Sequence, residues 1–314
     1  MKKLICISVL LITSISIGFS QPYVDLINTN YQAVKTNYTD SFGGNNKINN
    51  YALNLTAPIK IDSQNTIIVR VFAENLVTST IVDANKPVPF TNAVTQQKLD
   101  YSASLYATIL PIGLQHQTKN GKWKYLILAM PKLAGTVGEK VSSHNFQPGI
   151  FAVVTRKIND NLSLKGGMFF NKEFFGYFPV PIVSVDWRVN DRFQMYGTFP
   201  TFYKFEYAIK KQSIYAGINY RSYTRSFLLA GPEHNYMRIN DMSIKAFIDI
   251  YIKKKIVVYA EFGRMLNYSL LDYKYNTKNK PENEITNSIL YRKTAIPFMF
   301  NIGMAYRIRF DFDK

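Results

Sequence analysis

Cysteine is almost missing from this chain of 314 residues: there is one, Cys6. It lies within an apolar leader, so removal of that leader leaves a chain with no disulfide and no thiol-ligated metal site. Cys6 stands inside the apolar stretch and not at its end, which argues against a lipid-modified N-terminus. Histidine is scarce, with three residues (His116, His144 and His234), and tryptophan scarcer, with two. Acidic residues number 21 against 38 basic ones, a net charge of +17. After residue 20 no apolar run reaches the roughly 20 residues that a helix needs to cross a bilayer. These shortages exclude a disulfide-stapled domain and a helical membrane protein.

The leader itself reads "MKKLICISVLLITSISIGFSQPY". Lys2 and Lys3 form a basic start, Leu4 to Ile17 an apolar stretch too short to span as a helix, and Gly18-Phe19-Ser20 a small-residue cleavage site before Gln21. This predicts a cleaved signal peptide over residues 1–20 and a single mature domain over 21–314. Loss of Lys2 and Lys3 takes the net charge from +17 to +15.

What the chain does have is tyrosine and phenylalanine, 22 of each, in segments that alternate with period two, the signature of strands. In "FMFNIGMAYRIRF" the residues Phe298, Phe300, Ile302, Met304, Tyr306, Ile308 and Phe310 share one face. Ile244, Ala246, Ile248 and Ile250 oppose Lys245, Phe247, Asp249 and Tyr251, and similar alternation runs through 51–59, 67–74, 100–109, 162–171 and 213–220. A soluble sandwich alternates as well, so the connections decide. Tight polar turns at 61–65, 118–122, 159–161, 190–191, 210–211 and 253–255 take turns with long links at about 39–49, 77–98, 134–148, 172–178, 222–241 and 267–294. Only "FPTF" at 199–202 is short where a long link is due. Such asymmetry belongs to closed antiparallel transmembrane β-barrels, with brief periplasmic turns and longer outer loops. It predicts an all-β barrel of about 14 strands (12 being possible), with both termini on the periplasmic side of the cell outer membrane. A lipid-embedded sheet must close on itself, because unpaired backbone groups cost several kcal/mol each in hydrocarbon.

The stretch "GYFPVPIVSVDWRVNDRFQMYGTFPTFYKFEYAI", residues 176–209, resembles an uncharacterised family of outer-membrane β-barrel proteins of Bacteroidetes-type Gram-negative bacteria, catalogued as a domain of unknown function. The residues that carry the resemblance are Gly176, Phe178 to Ile182, the turn Trp187 to Phe193, and Pro200 to Tyr207. The resemblance extends over the mature chain and implies fold and location, but no mechanism. The chain departs from common barrel endings by continuing past Phe312 to Asp313 and Lys314.

If the apolar faces meet lipid, the interior receives Arg70, Glu74, Lys165, Asp186, Arg188, Lys204, Glu206, Arg221, Lys245, Asp249, Glu261, Arg307 and Arg309. Same-strand spacing suggests the pairs Arg70–Glu74, Asp186–Arg188, Lys204–Glu206 and Lys245–Asp249. With Phe72, Phe169, Phe247 and Tyr251 they predict a narrow or partly occluded lumen and a structural or interaction role. The alternative is porin-like passage of small, anionic solutes, since cationic pore linings favour anions. A lipid-modifying enzyme resting on His144 or His234 is the third reading, and a minor one. A Ser–His pair needs the two groups in hydrogen-bond reach, and loop histidines are far more often solvated. The chain is therefore expected to be no enzyme, with no catalytic, cofactor-binding or metal residues and no cofactor. Its expected partners are outer-membrane lipids and, during insertion, the barrel assembly machinery. Dispersed charge without a binding module argues against nucleic acid.

Overall fold

A computed structural model describes residues 22–37, 45–82, 99–273 and 297–310. The leader at 1–20 lies outside them, as do most of the links at 77–98 and 267–294.

The described residues form one antiparallel sheet of fourteen strands that closes on itself. In chain order these are β1 (Tyr23–Asn37), β2 (Asn45–Lys60), β3 (Asn65–Val82), β4 (Leu99–Ile109 continued by Ile112–Gln117), β5 (Trp123–Ala129 continued by Lys132–Thr136), β6 (Phe146–Gln147 continued by Gly149–Lys157) and β7 (Leu162–Glu173). There follow β8 (Gly176–Arg188), β9 (Phe193–Phe199), β10 (Phe202–Lys210), β11 (Ile214–Leu228), β12 (Tyr236–Ile252), β13 (Ile256–Tyr273) and β14 (Phe298–Arg309). Every neighbour in sequence is a neighbour in space, and β1 pairs β14 from Tyr23↔Arg309 to Val34↔Met299. The long alternating stretch near the end of the chain is thus the strand that seals the cylinder.

Three adjacent strands are broken at one level by proline: Pro111 in β4, Pro131 in β5 and Pro148 in β6. Proline has no N–H to give a ladder, yet its carbonyl still accepts. Arg70 N–H donates to the Pro111 oxygen at 2.8 Å, Leu110 N–H to Pro131 at 3.0 Å and Lys172 N–H to Pro148 at 2.9 Å. The faces keep their sense through each break: Ala107 and Gln115 on β4 are buried while Thr108 and Leu114 are exposed.

The two ends differ as the sequence implies, and they are named here the turn end and the loop end. At the turn end one device recurs. Asp62 Oδ1 accepts the N–H groups of Gln64 (2.7 Å) and Asn65 (2.8 Å). Asn159 accepts those of Asn161 and Leu162, and Asn190 those of Arg192 and Phe193. These are short side chains bonding the backbone two and three residues on. The Asn65 amide and those backbone N–H groups hold the Asp62 carboxyl below its ordinary value of 3.8. The β12–β13 hairpin instead places Lys253 and Lys254 at positive φ (52° and 64°), the backbone of the tight turns whose twist suits paired strands.

At the loop end the links are shorter than the alternation predicts. β7 runs to Glu173 and β8 begins at Gly176; β11 runs to Leu228 and β12 begins at Tyr236. Much of 172–178 and 222–241 is therefore strand. The reason is local: near this end apolar side chains such as Phe227, Met237 and Ile239 face inward, which blurs the apolar-out pattern. β4 shows the same inversion, with Ala103, Leu105 and Ala107 buried and Ser102 and Thr108 exposed.

The outward face is a belt of exposed aliphatics, among them Leu53, Leu55, Ile59, Ile127, Ile248, Ile250, Ile302 and Met304. A water-soluble protein rarely tolerates so continuous an apolar surface; hydrocarbon does. Aromatic pairs edge the belt at the loop end: Tyr31 with Tyr51, Phe170 with Tyr177 and Phe262 with Phe298, at centroid distances of 5.0, 5.5 and 5.5 Å. Both tryptophans stand near the turn end, Trp123 under the Arg156 guanidinium and Trp187 exposed. Two aromatic girdles around an apolar band are what a barrel spanning a bilayer presents.

Candidate functional site: the bridged interior

The side chains opposite the belt fill the cylinder with paired charge. Near the turn end Arg307 on β14 donates through Nε and Nη2 to Asp25 on β1 and through Nη1 to Asp249 on β12 at 2.7 Å. Lys204 on β10 reaches the same Asp249 at 3.0 Å and lies 3.7 Å from the Phe247 ring centroid. Arg309 pairs with Glu206 and stacks over the Tyr215 ring. A β-bulge between Asp25 and Ile27 makes this possible. The extra residue lets both Asp25 and Asn28 turn inward, where Asn28 Nδ2 donates to Asp25 at 3.1 Å.

Halfway along, Glu261 on β13 accepts from Lys245, from Asn219 at 2.7 Å and from Asn301 at 2.9 Å, with Arg221 at 3.8 Å. Gly303 on β14 leaves room for the Tyr259 ring, whose atoms would lie 2.4 Å from a Cβ there. Tyr259 thereby crosses β14 and donates to Asn28 on β1 at 2.9 Å.

Other contacts span the lumen. Arg225 on β11 pairs with Glu74 on β3, nearly opposite in the ring, and with Asp241 at 3.5 Å. Tyr196 on β9 donates to the Tyr23 hydroxyl on β1 at 3.1 Å. Closer to the loop end Glu173 on β7 receives Lys132 from β5 at 3.1 Å and the Ser226 hydroxyl from β11. Gln147 on β6 donates to Ser226 at 3.2 Å, and Thr136 on β5 to the Leu228 carbonyl at 3.1 Å. Strand β11 thus packs against β4 and β5 across the cylinder, although it neighbours neither in the sheet. Among these last contacts Leu76, Leu105, Phe227, Met237, Met265 and Met299 pack into an apolar plug, each at most 2% exposed.

Of the thirteen inward charges expected from sequence, nine are buried: Glu74, Asp186, Lys204, Glu206, Lys245, Asp249, Glu261, Arg307 and Arg309. Arg70, Lys165, Arg188 and Arg221 are half-buried. The expected partners need correction. Lys204 and Glu206 meet, at 4.0 Å, but Glu74 takes Arg225, Asp186 takes Lys165 at 2.6 Å, and Lys245 takes Glu261. Same-face residues on one strand stand about 7 Å apart, whereas cross-strand neighbours are closer. Sequence spacing missed Asp25, Lys132, Glu173, Arg225 and Asp241; Glu173, Arg225 and Asp241 fell in stretches read as loops.

The histidines lie at the ends. His116 contacts Asn65 and stacks on Tyr125 beside a tight turn. His144 and His234 come together from two loop-end links with centroids 4.6 Å apart, 13° from coplanar. Ser142 lies 3.4 Å from His144, but its hydroxyl caps the 3₁₀ turn Ser143–Asn145 by accepting the His144 N–H. Among the described residues no group of three or more potential ligands could hold a metal.

A cavity of about 300 Å³ lies on the β3–β9 side, below the proline breaks, lined by Arg70, Gln115, Lys124, Leu128, Phe151 and Lys165 among others.

A sealed cylinder with a girdled apolar exterior and an ion-paired core is an outer-membrane β-barrel. The family described as a domain of unknown function (DUF6268) matches residues 94–307, and the chain belongs to it. Among solved structures the chain is similar to an outer membrane channel from Pseudomonas putida F1, at 10% identity and a TM-score of 0.43, covering 94% of this chain and 98% of that one. It is also similar to the P. putida toluene transporter TodX, at 11% identity and a TM-score of 0.46, covering 93% of each. At such identity what those proteins carry stays theirs. No curated protein matches the sequence.

Proposed function

We propose that this protein is an occluded barrel of the outer membrane, serving as a structural or interaction element and not as a general pore or an enzyme. The observation that carries this reading is the Arg225–Glu74 pair bridging near-opposite walls beneath the apolar plug. Fourteen strands fall between the filled 8-stranded barrels and the open channels of 16–18, so side chains decide whether solute passes. Here they meet. The turn end faces the periplasm, and the loop-end surface around the stacked His144 and His234 is the side offered to an outside partner. Residues 1–20 direct export and are removed, outer-membrane lipids solvate the belt, and the barrel assembly machinery inserts the chain.

Planar-bilayer recording tests the occlusion. The wild-type barrel is expected to stay silent, and the double variant Arg225→Ala/Phe227→Ala to show steps through the emptied plug. Stable, large, anion-selective steps from the wild type would favour porin-like transport instead.

A further inference from the structure

Among the bridges the cylinder keeps a hollow. The cavity of about 300 Å³ is walled by side chains of two kinds. Leu126, Leu128, Met130, Phe151 and Val153, from β5 and β6, make an apolar surface. Three cations border the space as well, Arg70 on β3, Lys124 on β5 and Lys165 on β7, and no carboxylate is among its lining residues. Lys165 is neutralised by Asp186 at 2.6 Å. Arg70 is not: no acid among the described residues lies within ion-pairing distance. Its hydrogen-bond partner is a neutral one, the Asn54 amide oxygen at 3.5 Å, and its buried Nε has no partner. A half-buried guanidinium with no carboxylate in contact loses hydration that a bound anion would restore. Its backbone N–H is spent on the Pro111 carbonyl, so the strand holds it at the level of the proline breaks with its head turned to the hollow.

A guanidinium with no carboxylate in contact, beside a hydrocarbon-like wall, fits one class of ligand. We infer that this cavity binds a small amphipathic anion, a carboxylate or phosphate head on an apolar tail of roughly eight carbons. The head sits on Arg70, whose planar guanidinium suits a two-oxygen anion. The tail lies along Leu126, Leu128, Met130 and Phe151, where the thioether adapts to its shape. The size matches: the volume stands at the lower end of small-molecule sites, about 300–1,000 Å³. The cavity lies in the turn-end half, on the other side of the plug from the loops, so the ligand enters from the turn end. This rests on the occluded reading for its direction of access only; the site stands whether or not the barrel conducts.

Calorimetry on the mature barrel in lipid nanodiscs, with empty discs as blank, tests the site using octanoate, octan-1-ol and acetate as probes. Octanoate is expected to bind saturably at one site per barrel, with the other two at least tenfold weaker. Arg70→Gln is expected to weaken octanoate tenfold or more, and Arg70→Lys much less. Leu128→Trp fills the hollow without touching a charge and is expected to abolish binding. Heat-modifiable gel mobility reports that each variant is a folded barrel. Octanoate heat equal to that of empty discs overturns the inference. So does octanol binding as tightly as octanoate, acetate binding as tightly as octanoate, or octanoate affinity unchanged in the charge variant or in Leu128→Trp. Conductance steps together with saturable octanoate binding would sink the occluded reading and leave this one standing.

Discussion

At the scale of single residues the interior is a set of charges that are safe only together. Arg307 holds two carboxylates, Asp25 and Asp249, and lies over the Tyr23 ring with 3.7 Å to its centroid. Removing one partner of a buried ion pair leaves the other desolvated and alone, which costs about 3–5 kcal/mol. Arg307→Ala should therefore lower the unfolding free energy of the barrel by about that amount, read by urea titration in lipid vesicles. A loss of ~1 kcal/mol or less, the size of an exposed pair, would show that water reaches the site. Asp62, outside the membrane, gives a prediction with a sign. Its carboxyl is held below 3.8 by Asn65 and the Gln64 and Asn65 N–H groups. A depressed folded pKa contributes stability above the ordinary value and loses it as pH falls through the folded value. Asp62→Asn should flatten the acid limb of the stability profile below about pH 4; an unchanged limb contradicts the turn as described.

At the scale of elements, closure depends on β14 being narrow at one point. Gly303 lets the Tyr259 ring cross from β13 towards Asn28 on β1, so that three strands are tied by one side chain beside the seam. Gly303→Val should lower stability by about 1–3 kcal/mol, the range for overpacking a filled site; a neutral result would mean the ring is free to move. The seam can be tested directly. Thr29 and Met304 are register partners on β1 and β14, and directly opposed antiparallel residues have Cα atoms about 4.5–5.5 Å apart, within disulfide reach. The single native cysteine is Cys6, in the segment proposed to be removed on export, so Thr29→Cys/Met304→Cys should form one internal disulfide in the barrel. No crosslink under oxidation would mean the sheet is open there.

How much of this was legible in the sequence follows from the same elements. The turn end was plain, because each strand meets a short Asx or lysine turn just as its apolar face runs out. The belt was plain too, since lipid demands the same alternation on every strand. The loop end was not: Phe227, Met237 and Ile239 face inward as a plug, cancelling the apolar-out signal over β11 and β12, so strand was read as loop. Charge placement was legible for residues like Lys245 and Glu261, which sit on clean alternating faces. Partner choice was not, because pairs such as Arg225–Glu74, 151 positions apart, are set by the cylinder's cross-section and not by spacing along a strand. The cavity was invisible for the same reason.

At the scale of the whole molecule the account makes one demand of the environment: the outer surface must lie in oil. Separation of cell membranes followed by carbonate washing measures this directly. The mature chain is expected in the outer-membrane fraction, retained after the wash, released by detergent alone and running as a compact, heat-modifiable band. Recovery of the processed chain as a dispersed periplasmic species without detergent would contradict the barrel, and with it every assignment of inside and outside made from its strands.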